Sequence, residues 1–254
     1  QNLTRAYYLA ARRLGARYQL FTEIKEFRME NGRLSGLVTD KEEIRCQWIV
    51  NACGAFAPLL GRRLGIDIPI APRRGQIIVT EPVPKLTSTI VNCAKYIAAK
   101  YQPDLLGDSP ADRLGVGLSL TQTERGNLLL GGTREFAGYD TKTTRQGLAL
   151  VANPGAEILP ALKDINIIRT FAGLRPYTPD GLPIIGESPQ RKGLLIAAGH
   201  EGDGLALSAI TGELVSQIAA GAPISSGIDL SRLSPERFAG LDMLNFYRKH
   251  HIFS

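Results

Sequence analysis

Residues 169–212 gather most of the side chains in this chain that could do chemistry. Arg175 opens the run Arg175-Pro176-Tyr177-Thr178-Pro179-Asp180-Gly181, an extended arm that turns at Pro-Asp-Gly. A guanidinium so placed can hold a carboxylate through two parallel hydrogen bonds. Its structural alternative is an ion pair with an acidic neighbour that pins the turn. Tyr177 either closes over a bound molecule or packs beside Pro176. Further on, Gly199-His200-Glu201-Gly202-Asp203-Gly204 reads as a glycine-rich elbow between a short apolar run and a long one starting at Leu205. Glycines there let backbone approach a flat ring closely. A helix beginning near Gly204 would aim free N–H groups and its positive dipole end at an electron-rich group. His200 either touches that group or only shapes the elbow. An anion clamp and a ring cradle on adjacent elements predict an enzyme whose cofactor does the chemistry.

The elements that must position these residues fit a chain of 254 residues, 44% hydrophobic and 21% charged. That is ordinary globular composition, enough for one large domain or two smaller ones. The net charge of +6 is spread over isolated doublets such as Arg12-Arg13, Arg62-Arg63 and Arg73-Arg74, with no long basic run. This argues against nucleic-acid binding and fits a weak attraction to anionic substrates. Cys46, Cys53 and Cys93 have no metal-ligand spacing. Cys46 and Cys53 are expected to act as small hydrophobes, and such usage points to a reducing, cytoplasmic setting. No apolar run is long enough for a spanning helix, and no signal peptide is visible.

Along the chain, residues 1–14 have helical composition and residues 17–24 alternate like a strand. Residues 26–40 read as a hairpin turning at Asn31-Gly32. Cys46–Asn51 is expected as a short buried strand that runs through Ala52-Cys53-Gly54 into a helix at 56–64. Pro69 and Pro72 break the next segment, and Gly75-Gln76 leads into a strand, Ile77–Thr80. A second hairpin is expected at 115–133, a helix at 142–158 and a strand at 165–171. Gly193–Ala198 reads as a buried strand. Leu205–Ala220 reads as a helix apolar on nearly all sides, hence buried. The order is α/β, then mostly β with one helix, then β/α, as in a chain that leaves one domain for an antiparallel sheet and returns.

Four blocks carry a resemblance: Ile49-Val50-Asn51-Ala52-Cys53-Gly54-Ala55, Pro72-Arg73-Arg74-Gly75-Gln76, Ala172-Gly173-Leu174-Arg175-Pro176-Tyr177-Thr178-Pro179-Asp180-Gly181, and Ala198-Gly199-His200-Glu201-Gly202-Asp203-Gly204. In order and spacing they resemble the FAD-dependent oxidoreductases of the D-amino-acid oxidase superfamily, particularly its glycine oxidase, sarcosine oxidase beta-subunit, hydrogen cyanide synthase and opine oxidase subunit groups. Ser234-Pro235-Glu236-Arg237-Phe238 is similar to the C-terminal signature. The family begins with a βαβ unit carrying GxGxxG, which holds the ADP pyrophosphate. No such motif follows a strand here. The resemblance therefore implies roughly a hundred further residues before Gln1, by usual domain sizes. The chain looks like the C-terminal two-thirds of such an enzyme. Alone it is expected to fold at least in part and to bind FAD poorly. The strands at Ile49 and Leu195 are expected to lack a central neighbour.

The resemblance implies an α/β fold, α+β overall. A partial Rossmann-like FAD-binding domain (1–67 and 191–254) would flank a largely antiparallel substrate domain (68–190). It implies that Arg175 fixes a substrate carboxylate while the substrate C–H faces flavin N5 for hydride transfer, with Tyr177 and His200 nearby. Gly199, His200, Gly202, Asp203, Gly204 and Leu205 would surround the flavin, and Gly75 and Gln76 would approach it. Asn51, Ala52 and Gly54 would line the adenine and pyrophosphate side, and Ile24 would offer backbone groups to adenine. The expected reaction is oxidation of an amine or small amino acid at a C–N bond, with no metal. The acidic elbow looks like that of multi-subunit members and implies a second subunit of a hetero-oligomeric dehydrogenase. Two other readings stay open: a 2-hydroxy-acid dehydrogenase of the same fold, and a non-catalytic interaction module.

Overall fold

The computed structural model describes residues 2–102, 105 and 107–253. Helix α1 (Asn2–Arg13) leads to a meander of β1 (Ile24–Glu30), β2 (Arg33–Thr39) and β3 (Glu43–Arg45). Asn31 and Gly32 both take positive φ, 49° and 77°, the geometry a two-residue hairpin turn demands. Then come β4 (Ile49–Asn51), helix α2 (Ala57–Arg63) and the long strand β5 (Ala71–Pro82). An excursion follows through β6 (Val91–Asn92), α3 (Ala94–Tyr101), α4 (Pro110–Arg113), β7 (Ser119–Gln122) and β8 (Asn127–Gly131). Helix α5 (Arg145–Ile158) is capped by Thr144, whose Oγ1 accepts from the Gly147 N–H at 3.1 Å. Strand β9 (Ile167–Tyr177), β10 (Ile184–Glu187), β11 (Leu194–Ala198), α6 (Ser208–Ala220) and α7 (Met243–Lys249) complete the chain.

Among the described residues the mixed α/β fold holds three sheets. One is the β1-β2-β3 meander. A second, in order β10-β11-β4, pairs β11 with β4 in parallel and β10 antiparallel. The third is antiparallel, in order β6-β7-β8-β5-β9, with α5 packed on it. One core fills the space around the second sheet with Ile49, Ala57, Ile68, Ile70, Ile184, Leu194 and Ile196. Another lies between α5 and the antiparallel sheet, centred on Ile78, Leu118, Leu128, Leu130 and Val151. In a third, α7 and the segment after it seat Phe246, Tyr247 and Ile252 against Ala71.

Several expectations change. Residues 17–23 form no strand: Glu23 exchanges hydrogen bonds with Asp40, but no ladder extends back from it, and Phe21 is 96% exposed. Pro72 lies inside β5, opposite Pro176, a ladder position where neither ring needs to donate. The strands at Ile49 and Leu195 do not lack a shared neighbour but pair directly, Val50 with Leu195. Val50 is exposed on the edge strand, so β4 is only half-buried. Cys46 packs on the core, but Cys53 is exposed. Helix α6 starts at Ser208, not near Gly204, and buries only Leu214; Leu205 and Leu207 are exposed. Its apolar composition marks faces that the described residues leave uncovered. Among those residues no helix is long and apolar enough to cross a membrane, and no cluster of His, Cys, Asp and Glu could hold a metal.

Candidate active site

Strand β5 carries Arg73, Arg74, Gly75 and Gln76 in succession, and the pleat sends alternate side chains to opposite faces. Arg74 and Gln76 face a buried network. Arg74 bonds Glu135 and Asp140, each at 2.7 Å. The Gln76 amide donates to Glu135 at 2.7 Å and to Thr144 at 3.1 Å, and its Oε1 accepts from the Thr144 N–H at 2.7 Å. Thr133 Oγ1 also donates to Glu135. Burial alone would lower Arg74 and raise Glu135. Their mutual bond and the neighbouring hydrogen bonds outweigh it, so Arg74 sits above its ordinary value and Glu135 below the usual carboxylate range.

Arg73 and Gly75 face the other way, toward the elbow. Arg73 stands directly opposite Arg175 in the β5–β9 ladder, and Gly75 opposite Gly173. Two like charges facing each other on one sheet face repel. Glu201 answers that repulsion from the elbow: its buried carboxylate pairs with Arg73 and lies 3.8 Å from Arg134. The Arg73 guanidinium also lies over the Tyr177 ring, 5.0 Å from its centroid. Burial first, then Arg134 and Arg175, pulls Arg73 down to about 9, so it stays protonated at neutral pH. Burial and Arg134 likewise lower Arg175.

Arg175 has no carboxylate partner among the described residues; its Nη1 donates to the Thr133 carbonyl at 3.0 Å. Its guanidinium lies across Gly75, where an added Cβ would collide with it. The structural job of pinning the Pro-Asp-Gly turn falls to Arg237, whose Nε and Nη2 reach the two oxygens of Asp180 at 2.7 and 3.2 Å. Tyr177 packs edge-on against Phe136, with ring centroids 5.1 Å apart.

Parallel strands β11 and β4 end side by side, Ile196 opposite Asn51, so the elbow and the Ala52-Cys53-Gly54 turn leave the same sheet edge. Ligands in α/β sheets sit at such carboxyl ends. The Glu201 N–H donates to the Pro176 carbonyl at 3.1 Å, tying the elbow to β9. Gly199 takes φ 87° and packs on Thr178. The second left-handed residue is Glu201, φ 51°, and not Gly202, whose Cβ position faces open space. Gly204 packs near the His200 side chain, and His200 Nε2 lies 2.9 Å from Thr211 Oγ1. Burial lowers His200, with Asp203 opposing. Asp203 bonds Lys100 of α3 at 2.5 Å, and Leu205 is exposed. Asn51 is buried and spends its side chain locally, on the Ala57 carbonyl and the Cys53 N–H. Gly54 takes φ 56° with open space at its Cβ position, and Ala52 is exposed. Ile24 lies apart on the meander, its carbonyl held by Arg63 at 2.8 Å.

The structure thus gathers Arg175, Tyr177, Gly75 and the elbow, and turns Gln76 to the far face. Sequence reasoning missed Arg73, Arg134 and Glu201 as members of this group. The available signal was the pleat: in a strand, consecutive arginines cannot share a face.

The family profile described as FAD dependent oxidoreductase matches residues 1–218. The chain is 33% identical to hydrogen cyanide synthase subunit HcnC of Pseudomonas protegens, over 85% of this chain and 47% of that protein. It is 32% identical to glycine oxidase of Pseudomonas putida, over 84% of this chain and 52% of that one. The solved L-proline dehydrogenase from P. horikoshii superposes with a TM-score of 0.77 at 30% identity, covering 93% of this chain and 59% of that one. Glycine oxidase from Geobacillus kaustophilus superposes with a TM-score of 0.71 at 25% identity, covering 90% and 55%. The chain spans about half the length of the curated relatives it matches.

Proposed function

This chain belongs to the family of FAD-dependent oxidoreductases, and on that premise we propose that it forms the substrate-facing part of an enzyme oxidising an amine or a small amino acid at a C–N bond. Arg175 carries the reading. It is a guanidinium beside the elbow, without a carboxylate partner among the described residues and aligned by the Thr133 carbonyl. Such a group receives a substrate carboxylate, and positioning of this kind lowers the barrier by fixing the reacting carbon in place. Arg73 is occupied by Glu201, and Arg74 by Glu135 and Asp140, which leaves Arg175 for that task.

FAD, when bound, supplies the acceptor for the hydrogen and electron pair leaving the substrate carbon. The residues present fit its flavin side. Open space stands at the Gly202 and Gly54 Cβ positions, and both lie on turns leaving the shared sheet edge. Gly199, His200, Gly202, Asp203, Gly204 and Leu205 would hold the ring, with Asn51, Ala52 and Gly54 toward the rest of the molecule. The ADP half calls for a GxGxxG turn that these 254 residues do not contain. We assign residues 1–67 and 191–254 to the cofactor side and 68–190 to the substrate side. HcnC is, by its name, one subunit of hydrogen cyanide synthase; a partner subunit is the corresponding expectation for this chain.

The test is a turnover screen of the FAD-loaded protein with a dye acceptor. Glycine, sarcosine and D-amino acids are compared with 2-hydroxy acids, with Arg175→Ala run in parallel. Turnover of an amino acid that collapses in Arg175→Ala supports the reading. Turnover of hydroxy acids alone, or amino-acid turnover indifferent to Arg175, overturns it.

A further inference from the structure

Glu201 is an odd residue for its place. The elbow has three glycines, yet its second left-handed position, at φ 51°, is held by a glutamate. A non-glycine residue there is disfavoured and persists where its surroundings impose it. Two contacts impose it: the N–H bond to the Pro176 carbonyl and the ion pair with Arg73. The Glu201 side chain is only 6% exposed, and its carboxylate stands near a second guanidinium, Arg134. Arg73 faces Arg175 across the β5–β9 ladder on the same side of the sheet. The Glu201 carboxylate therefore occupies an anion position on the arginine directly opposite the guanidinium that receives a substrate carboxylate.

We infer that Glu201 is a resident carboxylate filling a second anion position beside Arg175, and that it restricts the site to substrates bearing one carboxylate. The restriction rests on the proposed role of Arg175; the anion position at Arg73 does not. A substrate with two carboxylates would have to displace Glu201, and a buried carboxylate released from its guanidinium is strongly disfavoured. A neutral or apolar substituent meets no such barrier. Glu201 is thus a specificity-determining residue, and its removal should convert the site to one that selects a dicarboxylate.

The experiment uses the full chain with acetate, malonate and succinate as probes, read by calorimetric titration and thermal melting. In wild type, no dicarboxylate should bind more than a few-fold tighter than acetate. In Glu201→Ala the dicarboxylates should gain about tenfold or more over acetate, the worth of one charge-assisted contact. Glu201→Gln, which keeps the shape, should gain in the same direction. If Glu201→Ala is too unstable to titrate, its melting temperature should recover in acetate or formate, which replace the missing group at Arg73. Wild type that already prefers dicarboxylates overturns the inference. So does Glu201→Ala with neither dicarboxylate gain nor carboxylate rescue. Arg175→Ala separates the two readings. If it leaves acetate binding unchanged with Glu201 in place, the proposed function fails. Acetate rescue in the Glu201→Ala, Arg175→Ala double variant still reports on Arg73.

Discussion

Arg73 and Arg74 are neighbours in one strand and have the same side chain, yet they sit in opposite electrostatic settings. Arg74 meets two carboxylates, and hydrogen bonds tie one of them, Glu135, to Gln76 and Thr133. Arg73 meets one carboxylate and two other guanidiniums, and falls to about 9. The pleat makes the difference. One face of β5 closes on α5 and is electrically complete, while the other opens on the elbow and keeps excess positive charge around Arg175. A buried charge matched by opposite charges is structural. One that is not suits an incoming anion, and the same strand builds both.

Breaking the complete face should cost the most stability. Arg74→Met leaves Glu135 buried without its main partner, and removing one member of a buried pair costs about 3–5 kcal/mol. Urea unfolding should show that loss, whereas Arg74→Met, Glu135→Leu should recover much of it. A loss of under about 1 kcal/mol in the single variant would mean that the network is not closed as described.

The open face should lose binding more than stability. Arg175→Lys keeps the charge but not the paired geometry. A charge-assisted bond is worth about 1.5–3 kcal/mol, so kcat/KM for a carboxylate substrate should fall about 10- to 100-fold. Gly75→Ala tests the same face while leaving Arg175 itself unsubstituted. Its Cβ would displace Arg175, so affinity for carboxylates should fall while overpacking costs only about 1–3 kcal/mol. Equal affinity in folded Gly75→Ala would show that Arg175 does not need the bed that Gly75 gives it.

These two faces also show how far the sequence could be read. The Asn31-Gly32 hairpin was legible because its reason is local: two residues that tolerate positive φ between alternating strands. Arg175 stood out as a candidate because its Pro-Tyr-Thr-Pro-Asp-Gly context is local too. The reason for Gly75 is not local; it lies a hundred residues on, in the path of the Arg175 side chain, so the glycine could be read only as an approach to a ring. Glu201 was hidden among glycines that looked better suited to its backbone conformation. The helix after the elbow was placed too early and too deep. An apolar run such as Leu205-Ala206-Leu207 announces that something covers it, not that the covering element lies in these residues.

The smallest effect concerns protons at the margin of the two faces. His200 at the elbow and His250 beside Phe136 and Tyr177 are both lowered. Burial leads in each case. Asp203 opposes it at His200; at His250 the Phe246 carbonyl opposes it, while Lys249, His251 and Arg73 reinforce it. A base held neutral by burial binds its proton less readily folded than unfolded. Stability should therefore be full above the ordinary histidine value, about 6.5, and should decline as pH falls through it toward the lowered folded values. Asp180 and Glu135, depressed by their arginine partners against the pull of burial, add their own loss only at lower pH, starting in the usual carboxylate range and continuing below it. Melting temperatures measured across this range should show two separate declines. His200→Asn should flatten the upper one and leave the lower untouched. An upper decline unchanged in both His200→Asn and His250→Asn would show that neither imidazole is held neutral, and that the aromatic and elbow packing around them is looser than described.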